Sequence, residues 1–192
     1  MFERYLQELI QAMKTTECSD HAGSLKTDDG VMRVVSMLKA VKEAGGKIIW
    51  VGNGGSAAIT SHSAADYFRT GKIKTLCFSD ASLLTCMSND FGYPAVFAKP
   101  IELYAEVGDV LVAISSSGQS VNILNAVQVA KDKGCKVVTL SGFMAINPLR
   151  KLGDVNFYVS CGEYGHVELA HGVLCHSFLD LYMQGTICKE VE

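Results

Sequence analysis

Five short apolar runs alternate with helical segments over most of the chain, and this alternation restricts the possible folds more than any other feature of the sequence. The runs lie at residues 48–51, 75–78, 110–114, 137–140 and 155–159. Each run is mostly apolar, with apolar residues on both faces, as expected of a strand that is covered by helices on both faces of its sheet. Strands that alternate with helices favour parallel pairing. The sequence therefore predicts an α/β fold, a three-layer α-β-α sandwich around a five-stranded parallel sheet.

An amphipathic helix is predicted at the start of the chain, over about residues 1–15. Phe2, Leu6, Ile10 and Met13 recur there at helical spacing and form one apolar face. Because an apolar face of this kind needs a partner surface, we expect the helix to serve oligomerisation.

Two further helices frame the alternating region. After a polar stretch at residues 15–26, Thr27 resembles an N-cap, and the apolar stripe that follows ends at Gly45. These signals predict a second helix between them. The last segment, residues 165–182, returns to helical spacing and predicts a C-terminal helix.

The composition is that of a folded protein with a small ligand. Hydrophobic residues make up 48% of the 192 residues and charged residues 19%, which excludes disorder and fits a single domain over residues 1–192. The formal net charge of −3, without a dense Lys/Arg cluster, gives no footprint for nucleic acid. No apolar run approaches the roughly 20 residues of a membrane span, so we expect no membrane partner.

Two features favour the cytoplasm. Residues 1–13 lack the basic start, apolar stretch and cleavage site of a signal peptide. The seven cysteines, an odd number without close metal-type pairs, are typical of small buried residues in a reducing compartment. We therefore expect a cytoplasmic protein.

A glycine-rich segment directly follows the first of the five strands. It reads Gly52-Asn53-Gly54-Gly55-Ser56 and precedes a helical pattern. Glycines let backbone amides approach an anion closely, and a helix N-terminus adds a favourable dipole. Ordinary strand-to-helix turns also contain glycine, so this glycine loop by itself does not establish a binding site.

A serine-rich segment follows the third strand and gives a stronger signal. Ser115, Ser116, Ser117 and Ser120 precede a helix predicted from about Val121. Hydroxyls and free amides at a helix N-terminus donate many hydrogen bonds to a phosphate without a lysine. One serine suffices to cap a helix, which leaves the others for a ligand. Since this serine loop and the glycine loop both follow parallel strands, they predict a shared phosphate site at one sheet edge.

Three segments together resemble the sugar isomerase (SIS) domain, and within it the phosphoheptose isomerase branch. They are GNGGS at 52–56, SNDFGY at 88–93 and SSSGQS at 115–120. The resemblance runs from about residue 30 to the C-terminal helix and implies a flavodoxin-like sheet and a homotetramer. It implies an aldose–ketose isomerase that converts sedoheptulose 7-phosphate to D-glycero-D-manno-heptose 7-phosphate, for heptose and lipopolysaccharide biosynthesis.

The resemblance also implies which residues contact the sugar phosphate. The serine loop would hold the phosphate, and Asp90 aligns with an acidic residue near the substrate. The full set of implied contacts is Asn53, Gly54, Gly55, Ser56, Asp90, Ser115, Ser116, Ser117, Ser120 and Glu168.

Aldose–ketose exchange needs an acid, a base and a group that stabilises a developing oxyanion. His62 and Asp66, four residues apart, share one face of the helix after the glycine loop. The last helix carries Glu168, His171 and His176, of which the first and third fall roughly on one face. Such sets bind zinc or carry protons. On the residues alone, solvated or capping side chains are the simpler interpretation.

With the resemblance, these residues acquire roles. It implies that His62, Asp66, Glu168 and His176 bind Zn²⁺, and that Asp66 and His176 are the catalytic acid/base pair. Two of them differ from the family pattern: Asp66 is one methylene shorter than the usual Glu, and Glu168 replaces a Gln.

Alternative functions stay open at this point. The DnaA initiator-associating protein has the same fold and binds a protein after losing the acid and base, whereas Asp66 and His176 retain proton-transfer chemistry and favour an enzyme. A sugar-phosphate-sensing domain usually accompanies a DNA-binding segment, for which we expect no room here. An isomerase of another sugar phosphate is the third alternative.

Overall fold

The computed structural model describes residues 1–190, with the side chains of residues 1–184. Two short 3₁₀ helices lie at Tyr93–Ala95 and Leu149–Lys151. The helices and strands are α1 (Phe2–Lys14), β1 (Glu17–Asp20), β2 (Gly23–Leu25), α2 (Thr27–Glu43), β3 (Lys47–Gly52), α3 (Gly55–Arg69), β4 (Lys74–Cys77), α4 (Ala81–Phe91), α5 (Ala98–Tyr104), β5 (Val110–Ser115), α6 (Val121–Asp132), β6 (Lys136–Ser141), β7 (Val155–Tyr158) and α7 (Tyr164–Glu190).

The predicted parallel sheet is confirmed, and it is larger than expected. Strands β3 to β7 pair in parallel in the order β7-β6-β5-β3-β4, the flavodoxin-like arrangement. The sheet has seven strands rather than five, because β1 and β2 form an antiparallel hairpin whose first strand pairs with β7. The residues of this polar segment carry no strand signal of their own. The backbone of β1 forms hydrogen bonds with the edge of β7. This pairing makes the segment a strand although its side chains do not favour one.

Helices cover both faces of the sheet, as the apolar runs predicted. In β3, Ile48 and Trp50 pack on one face, beneath α2, α3 and α7, and Ile49 and Val51 pack on the other, beneath α4, α5 and α6. All four side chains are buried. A strand that is buried on both faces cannot show the alternation of polar and apolar residues that marks a half-exposed strand.

The predicted helices are confirmed, with one correction at a cap. Lys26 is the N-cap of α2 and makes no side-chain cap bond, and Thr27 is already helical. The Thr27 hydroxyl instead donates to the Thr16 carbonyl, 2.9 Å away. The expected end is correct, since α2 stops at Glu43 just before Gly45, which has a φ of +70°. Within residues 1–190, no helix is long and apolar enough to cross a membrane.

Candidate active site

A cavity of about 200 Å³ opens between the glycine loop and the serine loop, at the carboxyl edge of the sheet. It therefore lies where two parallel strands end and two helices, α3 and α6, begin. All the predicted substrate contacts except Asp90 line it, and Tyr164 of α7 joins them. The lining residues are Asn53, Gly54, Gly55, Ser56, Ser115, Ser116, Ser117, Ser120, Tyr164 and Glu168.

The serine loop presents hydroxyl groups to this cavity. Ser115 donates to the Ser120 hydroxyl at 3.4 Å, and the Ser117 hydroxyl accepts from the Gln119 amide at 3.3 Å. The Ser116 side chain is 6% exposed, and its hydroxyl has no hydrogen-bond partner among the described residues. An unpaired buried hydroxyl costs about 1–3 kcal/mol, so a ligand that accepted this bond would recover that free energy.

The turn of the serine loop depends on Gly118 and on a residue that the sequence analysis missed. Gly118 has a φ of +63°, and a Cβ atom there would lie 2.0 Å from Oδ1 of Asn147. Asn147 is buried, donates to the Met144 carbonyl and accepts from the Arg150 amide. A single asparagine in an irregular segment gave no signal for this supporting role, which depends on contacts across the fold.

Glu168 closes the cavity on the side of the glycine loop. A Cβ atom on Gly55 would lie 2.3 Å from Oε1 of Glu168, so the carboxylate packs directly on the first residue of α3. A helix N-terminus favours a negative charge at this place. Gly55 is thus required for the close approach of α7 to α3.

His62, Asp66 and His176 come together from α3 and α7. Nε2 of His62 lies 3.2 Å from Oδ2 of Asp66, and Nδ1 of His176 lies 4.0 Å from the same oxygen. Arg69, which the sequence analysis did not single out, places Nη2 3.5 Å from the other carboxylate oxygen. The carboxylate therefore faces three groups that are or can become cationic.

This cluster fits a divalent metal ion. One ligand atom from each of His62, Asp66 and His176 lies within 4.8 Å of the other two. Two imidazoles and one carboxylate form a donor set that suits Zn²⁺. Donor atoms bound to one zinc ion are about 3.3 Å apart. The three side chains would therefore need to move only slightly closer together to bind the ion. Glu168 lies outside this group, with its carboxylate against Gly55.

The core fixes the separation of the two helices at the level of the cluster. The buried Tyr67 hydroxyl donates to the Cys175 carbonyl at 2.7 Å, and these residues directly adjoin Asp66 and His176. The Tyr67 ring also packs edge-on against Trp50, with 4.9 Å between centroids. The acid/base candidates are thus held by a buried hydrogen bond between their neighbours.

Asp90 does not join the site within the described chain. It is exposed on α4, and Asn89 donates to its carboxylate at 2.9 Å. Its predicted contact with the substrate stays a prediction.

His171, the remaining polar candidate on α7, belongs to the core. It is fully buried, and Nε2 lies 3.1 Å from the Ser141 carbonyl, to which it donates. Burial lowers the pKa of His171 to about 4, so the side chain is neutral at pH 7. An unfolded histidine titrates near pH 6.5, so the unfolded chain binds a proton first as the pH falls. This residue should therefore reduce the free energy of unfolding by up to about 3 kcal/mol between pH 6.5 and 4.

Replacing His171 by Gln should flatten this pH dependence. Glutamine keeps a donor for the Ser141 carbonyl and does not titrate, so the loss of stability between pH 6.5 and 4 should shrink. Urea unfolding at several pH values measures the effect, and His21→Gln, at an exposed position, is the matched control. Equal slopes for wild type and His171→Gln would contradict the assignment.

Comparison with known proteins agrees with this fold and site. The SIS domain family model matches residues 9–142. The chain is 33% identical over 185 residues to the phosphoheptose isomerase of Syntrophotalea carbinolica, covering 93% of this chain and 90% of that protein. The phosphoheptose isomerase structure from Neisseria gonorrhoeae has a TM-score of 0.81 at 28% identity, with 94% and 97% of the two chains covered. The structure from Francisella tularensis has a TM-score of 0.82 at 26% identity, with 95% and 96% covered.

The flavodoxin-like sheet, the two loops at its edge and the matched residues define the class of protein as a SIS domain protein. Within that class the chain belongs to the phosphoheptose isomerase family, since it matches such an enzyme over nearly its whole length. The resemblance seen in the three sequence segments is thereby confirmed.

Proposed function

We propose that the chain interconverts sedoheptulose 7-phosphate and D-glycero-D-manno-heptose 7-phosphate, and so supplies heptose for cell-surface polysaccharide such as lipopolysaccharide. Its family makes it a sugar-phosphate isomerase. Two features of the chain support the proposal most strongly. One is a cavity lined by neutral hydrogen-bond donors, and the other is a His-Asp-His cluster on the two helices that border this cavity.

The serine loop would anchor the phosphate. Its four hydroxyls and the free amides at the start of α6 are donors, and Ser116 supplies a buried hydroxyl that has no partner in the part of the chain that the structure describes. Preorganised donors of this kind bind an anion without a lysine, because their orientation is fixed by the fold rather than by the ligand. Ser56 and the amides at the start of α3 would contact the sugar from the opposite side.

Asp66 and His176 would carry the proton between the first two carbons of the open-chain sugar. One of them removes a proton from one carbon, and the other returns a proton to the neighbouring carbon through an enediol. The 4.0 Å separation of their functional atoms is small enough for both to address adjacent carbons of one substrate. Arg69 would help to keep the Asp66 carboxylate in place.

We further propose that His62, Asp66 and His176 hold one Zn²⁺. When bound, the ion would polarise the carbonyl oxygen and stabilise charge that develops on it. Glu168, the fourth ligand implied by the resemblance, would complete the set only by turning away from Gly55. Although Asp66 is shorter than the Glu usual in the family, its carboxylate still lies close to the imidazoles of both His62 and His176.

We also propose that the enzyme is a cytoplasmic homotetramer. The apolar face of α1 supports the assembly, because Phe2 is 72% exposed, and Leu6 and Ile10 are also exposed, in the isolated chain. Burying these side chains between subunits would remove apolar surface from water.

Turnover of sedoheptulose 7-phosphate by the purified protein, with and without added Zn²⁺, tests the proposed function. We expect NMR of the sugar to show an aldose heptose phosphate, and a higher rate with the metal. Binding of the sugar phosphate without isomerisation would instead indicate another substrate or a purely recognising protein.

A further inference from the structure

The Asn53 side chain is held by a hydrogen-bond network that involves two residues without an assigned role. Nδ2 of Asn53 donates to Oδ1 of Asn122, and Nδ2 of Asn122 donates back to Oδ1 of Asn53, both at 2.9 Å. The Tyr93 hydroxyl donates to the same Asn53 oxygen at 2.9 Å. An amide oxygen has two lone pairs, and both are used here. Asn53 therefore has one N–H left for a ligand and no acceptor.

The network joins three separate parts of the chain. Asn53 lies in the glycine loop, Asn122 lies in the first turn of α6 behind the serine loop, and Tyr93 begins the 3₁₀ helix after α4. Asn122 is 2% exposed, and its oxygen also accepts from the Ile123 amide at 3.0 Å, which fixes the orientation of its side chain. The two loops that form the cavity are thus tied to each other through Asn53.

A second hydrogen bond joins α6 to the same 3₁₀ helix without involving Asn53. Nδ2 of Asn125 donates to the Pro94 carbonyl at 3.0 Å. Because this contact anchors the segment beside Tyr93, loss of the Tyr93 hydroxyl should leave the backbone in place. The hydroxyl can therefore be removed to test its contact with Asn53 alone.

We propose that Asn122 and Tyr93 are positioning residues that act through Asn53. They hold the glycine loop against the serine loop, so that the phosphate cavity is formed before the substrate arrives. A preformed site avoids the ordering cost of binding, so the network affects affinity for the phosphorylated ligand more than the chemical step. The kinetic readout of this inference rests on the proposed isomerase function, whereas its binding readout does not.

A double-mutant cycle between Tyr93→Phe and Asn53→Ala tests the proposal. Loss of one neutral hydrogen bond should raise KM for sedoheptulose 7-phosphate about fivefold and leave kcat nearly unchanged. Asn53→Ala and Asn122→Ala should each raise KM at least as much. The double variant should match Asn53→Ala, because Tyr93 has no route to the ligand once the Asn53 amide is gone.

Asn125→Ala is the matched control, since it removes a contact between the same two elements without touching Asn53, and it should raise KM less than Tyr93→Phe does. An unchanged KM for Tyr93→Phe, or effects of Tyr93→Phe and Asn53→Ala that simply multiply, would overturn the proposal. Titration of the same variants with inorganic phosphate should give dissociation constants in the same order. This binding readout remains valid if the protein does not isomerise the heptose, which separates failure of this inference from failure of the proposed function.

Discussion

Replacement of His176 by Ala is expected to lower turnover of the sugar phosphate about 10³-fold while leaving phosphate binding nearly intact. The imidazole is one of the two groups that we propose for proton transfer, and its Nδ1 lies 4.0 Å from the Asp66 carboxylate. It does not line the cavity that contains the serine loop, so the anchoring donors should be undisturbed. Steady-state kinetics measure the loss, and titration with inorganic phosphate measures the retained binding.

Two other histidines separate the possible roles of His176. His21→Ala, on the exposed β1–β2 turn, should retain full turnover. His62→Ala removes a proposed zinc ligand but neither member of the acid/base pair, so excess Zn²⁺ should restore part of its activity. The same excess should not rescue His176→Ala. Equal rescue of both variants would show that His176 acts only as a ligand.

Replacement of Gly118 by Ala is expected to damage both the stability of the fold and the binding of phosphate. The added Cβ would meet Oδ1 of Asn147 at 2.0 Å, at a φ of +63° that already disfavours alanine. Strain of about 1–2 kcal/mol adds to the loss of the buried Asn147 hydrogen bonds, about 1 kcal/mol each. Because a shift near 1 Å in a positioning loop costs about 100-fold in rate, kcat/KM should fall by that order.

Gly108→Ala is the matched control for this prediction. Gly108 has a φ of +88°, but a Cβ atom added there would meet no other atom within 4 Å, and the residue precedes β5 at the end of the strand opposite the serine loop. It should show the backbone strain alone, with kcat/KM unchanged. Urea unfolding and kinetics of the two variants, measured side by side, decide the matter. If Gly118→Ala behaved like Gly108→Ala in both measurements, Asn147 would not support the loop.

The residues proposed for phosphate binding and those proposed for proton transfer lie in two different regions of the molecule. The proposed phosphate donors are backbone amides and short hydroxyl side chains in the turns after β3 and β5. The proton-transfer candidates instead extend from helix interiors, where Tyr67 and the Cys175 carbonyl hold α3 and α7 together. In the proposed mechanism, binding therefore depends on the geometry of these turns, and catalysis depends on the packing of α3 against α7.

Much of this arrangement could be predicted from the sequence because the signals were local. The apolar runs predicted all five parallel strands, and the glycine and serine loops predicted a shared site at one edge of the sheet. The i,i+4 spacing of His62 and Asp66 placed them on one helix face, and they lie 3.2 Å apart. In each case, residues near in sequence determine the feature.

Residues distant in sequence determined what could not be predicted. The β1–β2 hairpin forms at the edge of β7, more than 130 residues away, although its own sequence is polar. His171 had the same polar character as His176, yet the packing of α7 buries the first and exposes the second.

The sequence by itself therefore determined the order of the strands along the chain, the positions of the glycine and serine loops and the residue types available for proton transfer. Only the tertiary structure decided which polar side chains of α7 face the site, that Asn147 supports the serine loop, and that Asn53 is held by Asn122 and Tyr93. The physical reason is that periodicity and turn chemistry act over a few residues, whereas burial and hydrogen bonding between elements depend on how those elements pack.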